Sequence, residues 1–331
     1  PDRLLSESDV ALYRAKAAGR NTVCLFDSDL SAHHALESSR RAALPRAIRE
    51  GELEFHFHPT MELDSGRVRG FEALVRWRRP EEGLLPPVTF LDIARDLGLM
   101  AQIDYLAMEA ALGMHARLSR AGLGPVILGF NASTDLLADP DFPARLAAAA
   151  VRHGVPRNQI TIEILETVFF GDRGQPGSAI ETIQCLLRDG YAVLLDDFGM
   201  GHAGLGHLAD LPVSGVKIDR SIVGPLIGDR TRQRIVATLC DLGRDLGFRI
   251  VAEGVETEAI ANRLADFGGV VGQGDWIGTP LHPDDVADWL AARRGIEPMR
   301  RALRRETARR ASLPRGTGRR SSSTARSRQT P

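Results

Sequence analysis

Polar residues stand at or near the ends of successive apolar, strand-like segments of this 331-residue chain, and most of them are carboxylates. The set comprises Glu72, Asn131, Glu163, Glu166, Asp196, Asp197, Lys217, Asp219, Glu253 and Gln273. Where strands alternate with helices, the strands run parallel and their C-terminal ends meet on one face, which is where barrel enzymes carry their chemistry. Acids gathered on one face repel each other unless cations neutralise them. The pattern therefore predicts a metal-dependent hydrolase built on a barrel.

Eight segments have the composition of strands, and helical segments separate most of them. The strand candidates are Phe55–His58, Val68–Leu74, Val126–Phe130, Ile160–Ile164, Ala192–Leu195, Gly215–Ile218, Arg249–Ala252 and Val270–Gly272. The helix candidates are Pro87–Leu97, Ile103–Ala121, Ser178–Arg188, Thr231–Leu246 and Glu256–Phe267. This alternation predicts an α/β fold, a (β/α)8 TIM-type barrel. Only Asp64-Ser65-Gly66 joins the first two strands, so the first strand should run antiparallel to the second.

The regions flanking the predicted barrel differ from it in composition. Residues 28–51 have a helical pattern that fits a connector, in which Pro45 is expected to open a new helix. Residues 52–296 would form the barrel. Residues 297–331 form a basic tail, with eleven arginines and one glutamate from Arg300 onward and few large apolar residues, and this tail is expected to be disordered. It could contact an anionic surface or remain a solvated extension, and no specific nucleic-acid binding is expected.

Composition also narrows the class of protein. The formal net charge of −1 combines the basic tail with an acidic remainder. Three widely separated cysteines, Cys24, Cys185 and Cys240, make a disulfide framework or a zinc site improbable and favour a cytoplasmic location. No apolar run approaches the roughly 18 residues of a membrane span. We expect no membrane span in this chain, although a longer parent protein could be anchored upstream.

Seven short motifs recur in an order and spacing that match a known family. They are Phe71-Glu72-Ala73-Leu74-Val75-Arg76-Trp77, Asn131-Ala132-Ser133, Glu163-Ile164-Leu165-Glu166, Leu195-Asp196-Asp197-Phe198-Gly199-Met200-Gly201, Val216-Lys217-Ile218-Asp219-Arg220-Ser221, Val251-Ala252-Glu253-Gly254-Val255-Glu256-Thr257 and Gln273-Gly274. Over roughly residues 40–295 the chain resembles the EAL domain family of cyclic di-GMP phosphodiesterases. Residues 8–27 resemble the last helix and strand of a GGDEF (diguanylate cyclase) domain, so residues 1–27 are expected to be the remnant of a missing upstream domain.

The resemblance implies a role for each residue of the polar set. The implied ligands of two Mg²⁺ or Mn²⁺ ions are Glu72, Asn131, Glu163, Asp196 and Asp197, with Asp196 bridging. The implied contacts of the attacking water are Lys217 and Glu253. The implied substrate contacts are Arg76, Asp219 and Gln273. Glu166 would hold the loop at Phe198–Leu205 and support the metal site indirectly.

Each assignment has a plainer alternative. Asp196 and Asp197 could belong to a solvated loop or a helix cap, and Arg76 could form a salt bridge on the barrel rim. Lys217 could pair with Asp219 for structure alone. Against this, only two of the 42 basic residues are lysines, and one of them lies inside an apolar strand. Lysine is a compact charge with a tunable pKa, unlike arginine.

Several residues depart from the pattern of the family. The departures are His58, Asp92, Arg95, Met200, His202, Ala203, Gly204 and Ser214. None of them is an implied metal ligand. The resemblance implies hydrolysis of cyclic di-GMP to linear pGpG in bacterial second-messenger signalling, by a homodimer formed through the EAL domain. The alternative is a catalytically silent EAL domain that acts as a cyclic di-GMP receptor or binds a partner.

Overall fold

The computed structural model of this protein describes residues 28–170, 179–199 and 212–295. The predicted N-terminal remnant and the predicted disordered tail lie outside these ranges. The chain divides into two compact units, residues 1–286 and residues 287–331, and the first contains the barrel. Among the described helices, none is both long and apolar enough to cross a membrane.

Nine strands occur within the described residues. They are β1 (Leu53–Glu62), β2 (Val68–Arg79), β3 (Gly83–Leu85), β4 (Ile127–Asn131), β5 (Ile160–Leu165), β6 (Ala192–Phe198), β7 (Gly215–Ile218), β8 (Arg249–Ala252) and β9 (Val270–Gln273). Eight close a barrel in the order β1-β9-β8-β7-β6-β5-β4-β2, which the β1–β2 pairing completes. Strand β1 is antiparallel to both neighbours, while β2 and β4 to β9 pair in parallel. The predicted barrel and its antiparallel first strand are confirmed.

Ten helices accompany the strands in the described part of the chain. They are α1 (Ser28–Glu50), α2 (Leu91–Asp96), α3 (Met100–Arg120), α4 (Thr134–Leu137), α5 (Phe142–His153), α6 (Ala179–Arg188), α7 (Arg220–Val223), α8 (Arg230–Leu246), α9 (Glu258–Ala265) and α10 (Val286–Arg293). Short 3-10 turns occur at Pro87–Thr89, Arg157–Gln159, Glu166–Phe170 and Gly224–Leu226. The predicted helix at Pro87–Leu97 is thus a 3-10 turn followed by α2.

Helix α8 illustrates how the sequence builds the outer layer. Asp229 caps its N-terminus by accepting hydrogen bonds from the backbone N–H groups of Thr231 and Arg232. Buried residues recur at helical spacing along the face that packs on the barrel, and Gly243 lets the helix approach Ile250 of β8. A Cβ at this glycine would lie 2.9 Å from Cγ1 of Ile250. Helix and strand are therefore in close contact where β8 enters the barrel.

The expectation that Pro45 opens a new helix is wrong, because α1 runs without interruption from Ser28 to Glu50. An internal proline removes one backbone hydrogen bond and costs about 3 kcal/mol. Leu44 and Ala47, on either side of Pro45, are fully buried, and this burial offsets the cost. Tertiary packing therefore overrides the local preference for a helix break.

Candidate active site

The parallel register of the strands brings the predicted polar residues to one end of the barrel. Asn131 at the end of β4 is paired with Glu163 of β5, and Leu165 of β5 is paired with Asp196 of β6. Lys217 lies one residue before the end of β7, and Glu253 directly follows β8. These positions are all at C-terminal ends, so the side chains that project into the barrel meet there.

Lys217 lies at the centre of four carboxylates. Its Nζ is 2.6 Å from Glu163 Oε2, 2.6 Å from Glu253 Oε1, 3.1 Å from Asp196 Oδ1 and 3.3 Å from Glu72 Oε2. The side chain is only 2% exposed. Burial by itself would lower the pKa of Lys217, but the surrounding carboxylates raise it well above its usual value. Lys217 is therefore a permanent cation in this arrangement, held by the acids of neighbouring strands.

Glu72 is fixed by hydrogen bonds from two amides as well as by Lys217. Asn131 Nδ2 donates to its Oε1 over 2.7 Å, and Gln273 Nε2 donates to its Oε2 over 2.9 Å. Burial alone would raise the pKa of Glu72, but Lys217 and these two donors hold it below its usual value. The structure therefore keeps Glu72 ionised and places its two oxygens in defined positions.

The same surroundings raise the pKa values of Glu163 and Glu253, whereas that of Glu72 is lowered. Burial, together with the charges of Glu72 and Asp196, raises the pKa of Glu163 well above its usual value. Burial also raises the pKa of Glu253 to about 7, with Asp196 and Glu72 contributing and Lys217 opposing. The single charge of Lys217 is thus too small to keep every acid of the cluster ionised, and added cations would relieve the excess.

The acids form two groups with the spacing of metal ligands. One group is Glu72, Glu163 and Asp196, and the other is Asp196, Asp197 and Glu253. Within each group, one oxygen from every residue lies within 4.8 Å of the others. Asp196 belongs to both groups, so the geometry suits two adjacent cations that share it. Carboxylate oxygens are hard ligands, and this donor set fits divalent cations such as Mg²⁺ or Mn²⁺.

Two backbone features make room for these acids. Gly129 on β4 faces Glu163, and a Cβ there would lie 2.8 Å from Glu163 Oε1. Asp197 has φ of 54°, the left-handed region that few residues other than glycine adopt, and its N–H donates to Asp196 Oδ1 over 2.9 Å. Among the described residues it is the one non-glycine residue with positive φ. The backbone is therefore locally strained at Asp197, directly after Asp196.

The predicted substrate contacts lie in different surroundings. Gln273 is 2% exposed and joins the cluster through Glu72. Asp219 is buried and caps α7, because its Oδ1 accepts a hydrogen bond from the N–H of Ser221 over 2.8 Å. Arg76 is half-buried on β2, where its Nη1 donates to the carbonyl of Val75 over 2.8 Å, and burial lowers its pKa. The suggested structural pair of Lys217 with Asp219 is absent from the ion pairs of the described residues.

Glu166 is buried and begins the 3-10 turn Glu166–Phe170 directly after β5. The loop it was expected to hold, Phe198–Leu205, is described only as far as Gly199, so most of that loop lies outside the described residues. Four of the departures from the family pattern, Met200, His202, Ala203 and Gly204, lie in the same undescribed part of the chain. Ser214 lies before β7, where its Oγ accepts a hydrogen bond from the N–H of Val193.

Two clefts open on either side of the acidic cluster, and both are lined by Glu72 and Asp196. The larger, about 650 Å³, has mainly apolar walls and includes Arg95, which pairs with Asp92. The smaller, about 280 Å³, has walls that are polar and apolar in equal parts. Its lining includes His58, whose Nε2 is buried without a hydrogen-bond partner in the described part of the chain. Two of the departures from the family pattern therefore lie beside the candidate site.

Sequence reasoning missed Asp104, which lines the larger cleft from α3. It is 5% exposed and its Oδ2 accepts a hydrogen bond from the N–H of Ser133 over 2.8 Å. Burial raises its pKa to about 6, although Ser133 opposes the shift. The signal was present in the sequence, because Asp104 is a charged residue on the apolar stripe of an amphipathic helix.

Comparison with known proteins finds relatives that include cyclic di-GMP phosphodiesterases. The chain is 31% identical over 283 residues to the bifunctional diguanylate cyclase/cyclic di-GMP phosphodiesterase MucR of Pseudomonas aeruginosa, which is 86% of this chain and 41% of the relative. It is 31% identical over 241 residues to a cyclic di-GMP phosphodiesterase of the same species, covering 72% of this chain and 40% of the relative. The chain thus spans about two fifths of the length of these curated relatives.

The solved structures that resemble this chain are of the same kind as the relatives named above. The PaMucR phosphodiesterase in its c-di-GMP complex superposes with a TM-score of 0.69 at 30% identity, covering 75% of this chain and 99% of that chain. The EAL domain of Mycobacterium smegmatis DcpA superposes with a TM-score of 0.61 at 29% identity, covering 72% of this chain and 98% of that chain. The sequence model of the EAL domain matches residues 41–280. This chain belongs to the EAL domain family.

Proposed function

We propose that this chain hydrolyses cyclic di-GMP to linear pGpG, with Mg²⁺ or Mn²⁺, in bacterial second-messenger signalling. The observation that carries the proposal is the pair of acidic groups that share Asp196 around the buried Lys217. A relative named as a cyclic di-GMP phosphodiesterase and a similar structure in complex with c-di-GMP support the same substrate.

Each group of side chains has its own role in the proposed reaction, according to its position in the site. Two divalent cations bound at the acidic groups would neutralise the phosphate and lower the pKa of the attacking water. Asn131 and Gln273 orient Glu72, so that its carboxylate is preorganised before a cation arrives. Lys217 and Glu253 lie beside each other, 2.6 Å apart, so both are placed to contact one attacking water once cations occupy the carboxylates.

The two clefts suit a ligand with a base on each side of the scissile phosphate. They meet at Glu72 and Asp196, so a phosphate at the acidic cluster would leave one nucleotide in each cleft. We assign Arg76, Asp219 and Gln273 to substrate binding, and the planar guanidinium of Arg76 suits bidentate contact with a phosphate. Glu166 is assigned to the support of the loop after β6.

The experiment incubates the purified chain with cyclic di-GMP and Mn²⁺ and separates the products by chromatography. We expect pGpG to accumulate, and Glu163→Gln to lose more than about 100-fold in turnover, because it removes one ligand charge at nearly constant shape. Glu258→Gln on the first turn of α9 is the matched control and should keep the wild-type rate.

Binding of cyclic di-GMP without any product in Mn²⁺ or Mg²⁺ would contradict hydrolysis and establish the receptor alternative instead. His58 and Arg95 are the observations that favour that alternative, because both departures line the clefts. The family commonly has glutamine at the position of His58 and glutamate at that of Arg95. The variants His58→Gln and Arg95→Glu restore these residues, and recovery of turnover in them would identify the cause.

We further propose a cytoplasmic homodimer that forms through the EAL domain, downstream of a GGDEF domain in a longer protein. The proposal draws on the EAL family and on a relative named as a bifunctional diguanylate cyclase/cyclic di-GMP phosphodiesterase. Light scattering of the purified chain at two concentrations tests the dimer, and a monomer at every concentration, with and without cyclic di-GMP, would contradict it.

A further inference from the structure

The opposite end of the barrel from the acidic cluster carries a concentration of arginines. Strand β8 enters the barrel at Arg249, and residues two apart on a strand share one face. Arg249 and Val251 line the same interior cavity, and Glu253 follows on the same face at the acidic cluster. Arg249 therefore lies at the base of an inward-facing column whose upper end is the candidate active site.

Arg69 reaches the same cavity because the β1–β2 ladder is irregular at this point. Thr60 pairs with Gly70 and Met61 with Val68, so Arg69 is the extra residue of a β-bulge. Bulges commonly redirect a side chain at the rim of a barrel. Gly215 makes the remaining room, since a Cβ there would lie 2.8 Å from Arg249 Cβ. The β-bulge at Arg69 and the absence of a side chain at Gly215 thus leave room for the two arginine side chains beside the cavity.

The positive charges here exceed the negative ones. Glu62 pairs with Arg69 over 3.2 Å, but it also pairs with Arg67 over 2.5 Å, so one carboxylate serves two arginines. Arg249 forms no ion pair with a carboxylate of residues 28–170, 179–199 or 212–295. Arg67 and Arg69 therefore share one carboxylate, and Arg249 has none within the described chain, so the lower end of this cavity carries more positive than negative charge.

The cavity is small and mixed in character. It has a volume of about 30 Å³, which is close to the share of one water molecule in the liquid. Its lower wall includes Arg69, Arg249, Thr60 and Thr161, so two guanidinium groups and two hydroxyls can donate hydrogen bonds into it. Its upper wall includes Glu72 and Glu163, and the Nζ of Lys217 lies within 3.3 Å of both carboxylates.

We propose that this cavity binds one small inorganic anion of the halide class, held between the guanidinium groups of Arg69 and Arg249. A halide fits the volume and supplies the negative charge that the lower wall lacks, whereas a water molecule fits but leaves the charge uncompensated. Burial, with the neighbouring charge of Arg69, lowers the pKa of Arg249 to about 10, and an anion at this position would reverse that effect. The inference is independent of the proposed hydrolysis.

Thermal unfolding of the full chain in sodium chloride and in sodium gluconate, at equal ionic strength, tests the site. Gluconate is too large for the cavity, so the comparison removes general screening. At a chloride concentration about ten times its Kd, we expect the Tm to be about 3 °C higher than in gluconate and to rise logarithmically with further chloride. Arg249→Met should abolish this difference, and Arg234→Met, which changes an exposed arginine of α8, should retain it.

Crystals grown in sodium bromide give a second measurement that needs no variant. An anomalous peak within hydrogen-bond distance of both Arg69 and Arg249 is expected. Equal Tm values for the wild-type chain in chloride and gluconate, a full chloride effect in Arg249→Met, or a water without anomalous signal at this position would each overturn the proposal. If Arg249→Met does not fold, Arg249→Lys keeps a cation there and should show a reduced chloride effect.

Discussion

Replacing Lys217 by methionine removes the cation at the centre of the acidic cluster while keeping an unbranched side chain of similar length. The Nζ of Lys217 lies within 3.3 Å of four carboxylates, and the side chain is 2% exposed. Removing one partner of a buried ion pair costs about 3–5 kcal/mol. At about 2–4 °C per kcal/mol, we expect the Tm of Lys217→Met in EDTA to fall by about 10 °C.

Added Mn²⁺ should restore much of this loss, because cations at the two acidic groups would replace the missing charge and stabilise the folded state by mass action. Lys217→Arg separates charge from shape. It keeps the cation but forces a larger planar group into a packed site, at a cost of about 1–3 kcal/mol. Displacing the attacking water by about 1 Å should lower turnover on the order of 100-fold.

Circular dichroism melts in EDTA and in Mn²⁺, together with chromatographic turnover assays, measure both effects. The exposed variant Arg234→Met controls for the loss of a basic side chain. Equal Tm losses for Lys217→Met with and without Mn²⁺ would refute the view that Lys217 and the cations neutralise the same acids. A wild-type kcat in Lys217→Arg would refute the catalytic role and leave Lys217 a structural counter-charge.

Three further predictions concern other parts of the chain. Glu72→Ala should abolish turnover even in saturating Mn²⁺, because it removes a carboxylate shared by both clefts, and unchanged kcat would contradict its assignment as a ligand. Asp104 has a folded-state pKa of about 6, above its unfolded value of 3.8, so its stabilising effect is present below pH 3.8 and lost as pH rises through 6. Asp104→Asn stays neutral and can still accept from Ser133, so in urea melts it should gain up to about 3 kcal/mol over wild type at pH 7.5 and little at pH 3.8. An equal gain at both pH values would contradict burial as the cause. Truncation after Ile296 should leave Tm and turnover nearly unchanged, because the tail has few large apolar residues to pack, and a Tm loss of several degrees would show that it docks.

The strands of the barrel were predictable because each carries a short apolar run bounded by turn residues. The runs at Gly215–Ile218 and Arg249–Ala252 coincide with β7 and β8. The antiparallel first strand followed from a connection of three residues, which is too short for a parallel crossover. Both inferences use local sequence only, and both are confirmed by the strand pairing.

Features that depend on distant parts of the chain were not predictable. The continuity of α1 through Pro45 depends on the burial of Leu44 and Ala47. Strand β3 was missed because its three residues have no pattern of their own and are strand only by pairing with the end of β2. For Asp104 the charged residue on an apolar helix face was visible in the sequence, but its partner, the N–H of Ser133, is 29 residues away and was not.

The position of Lys217 shows where sequence reasoning about the site must stop. A lysine in an apolar strand indicated a special role, and burial alone would have lowered its pKa. The structure gives the opposite direction, because β2, β5, β6 and the residue after β8 each bring a carboxylate to the same point inside the barrel. The number of acids that converge depends on register, and on a glycine at 129 that leaves Glu163 its place. The same convergence makes Asp196 common to both acidic groups, so Lys217 and bound cations would neutralise the same carboxylates, and removal of the lysine charge should raise the affinity for cations.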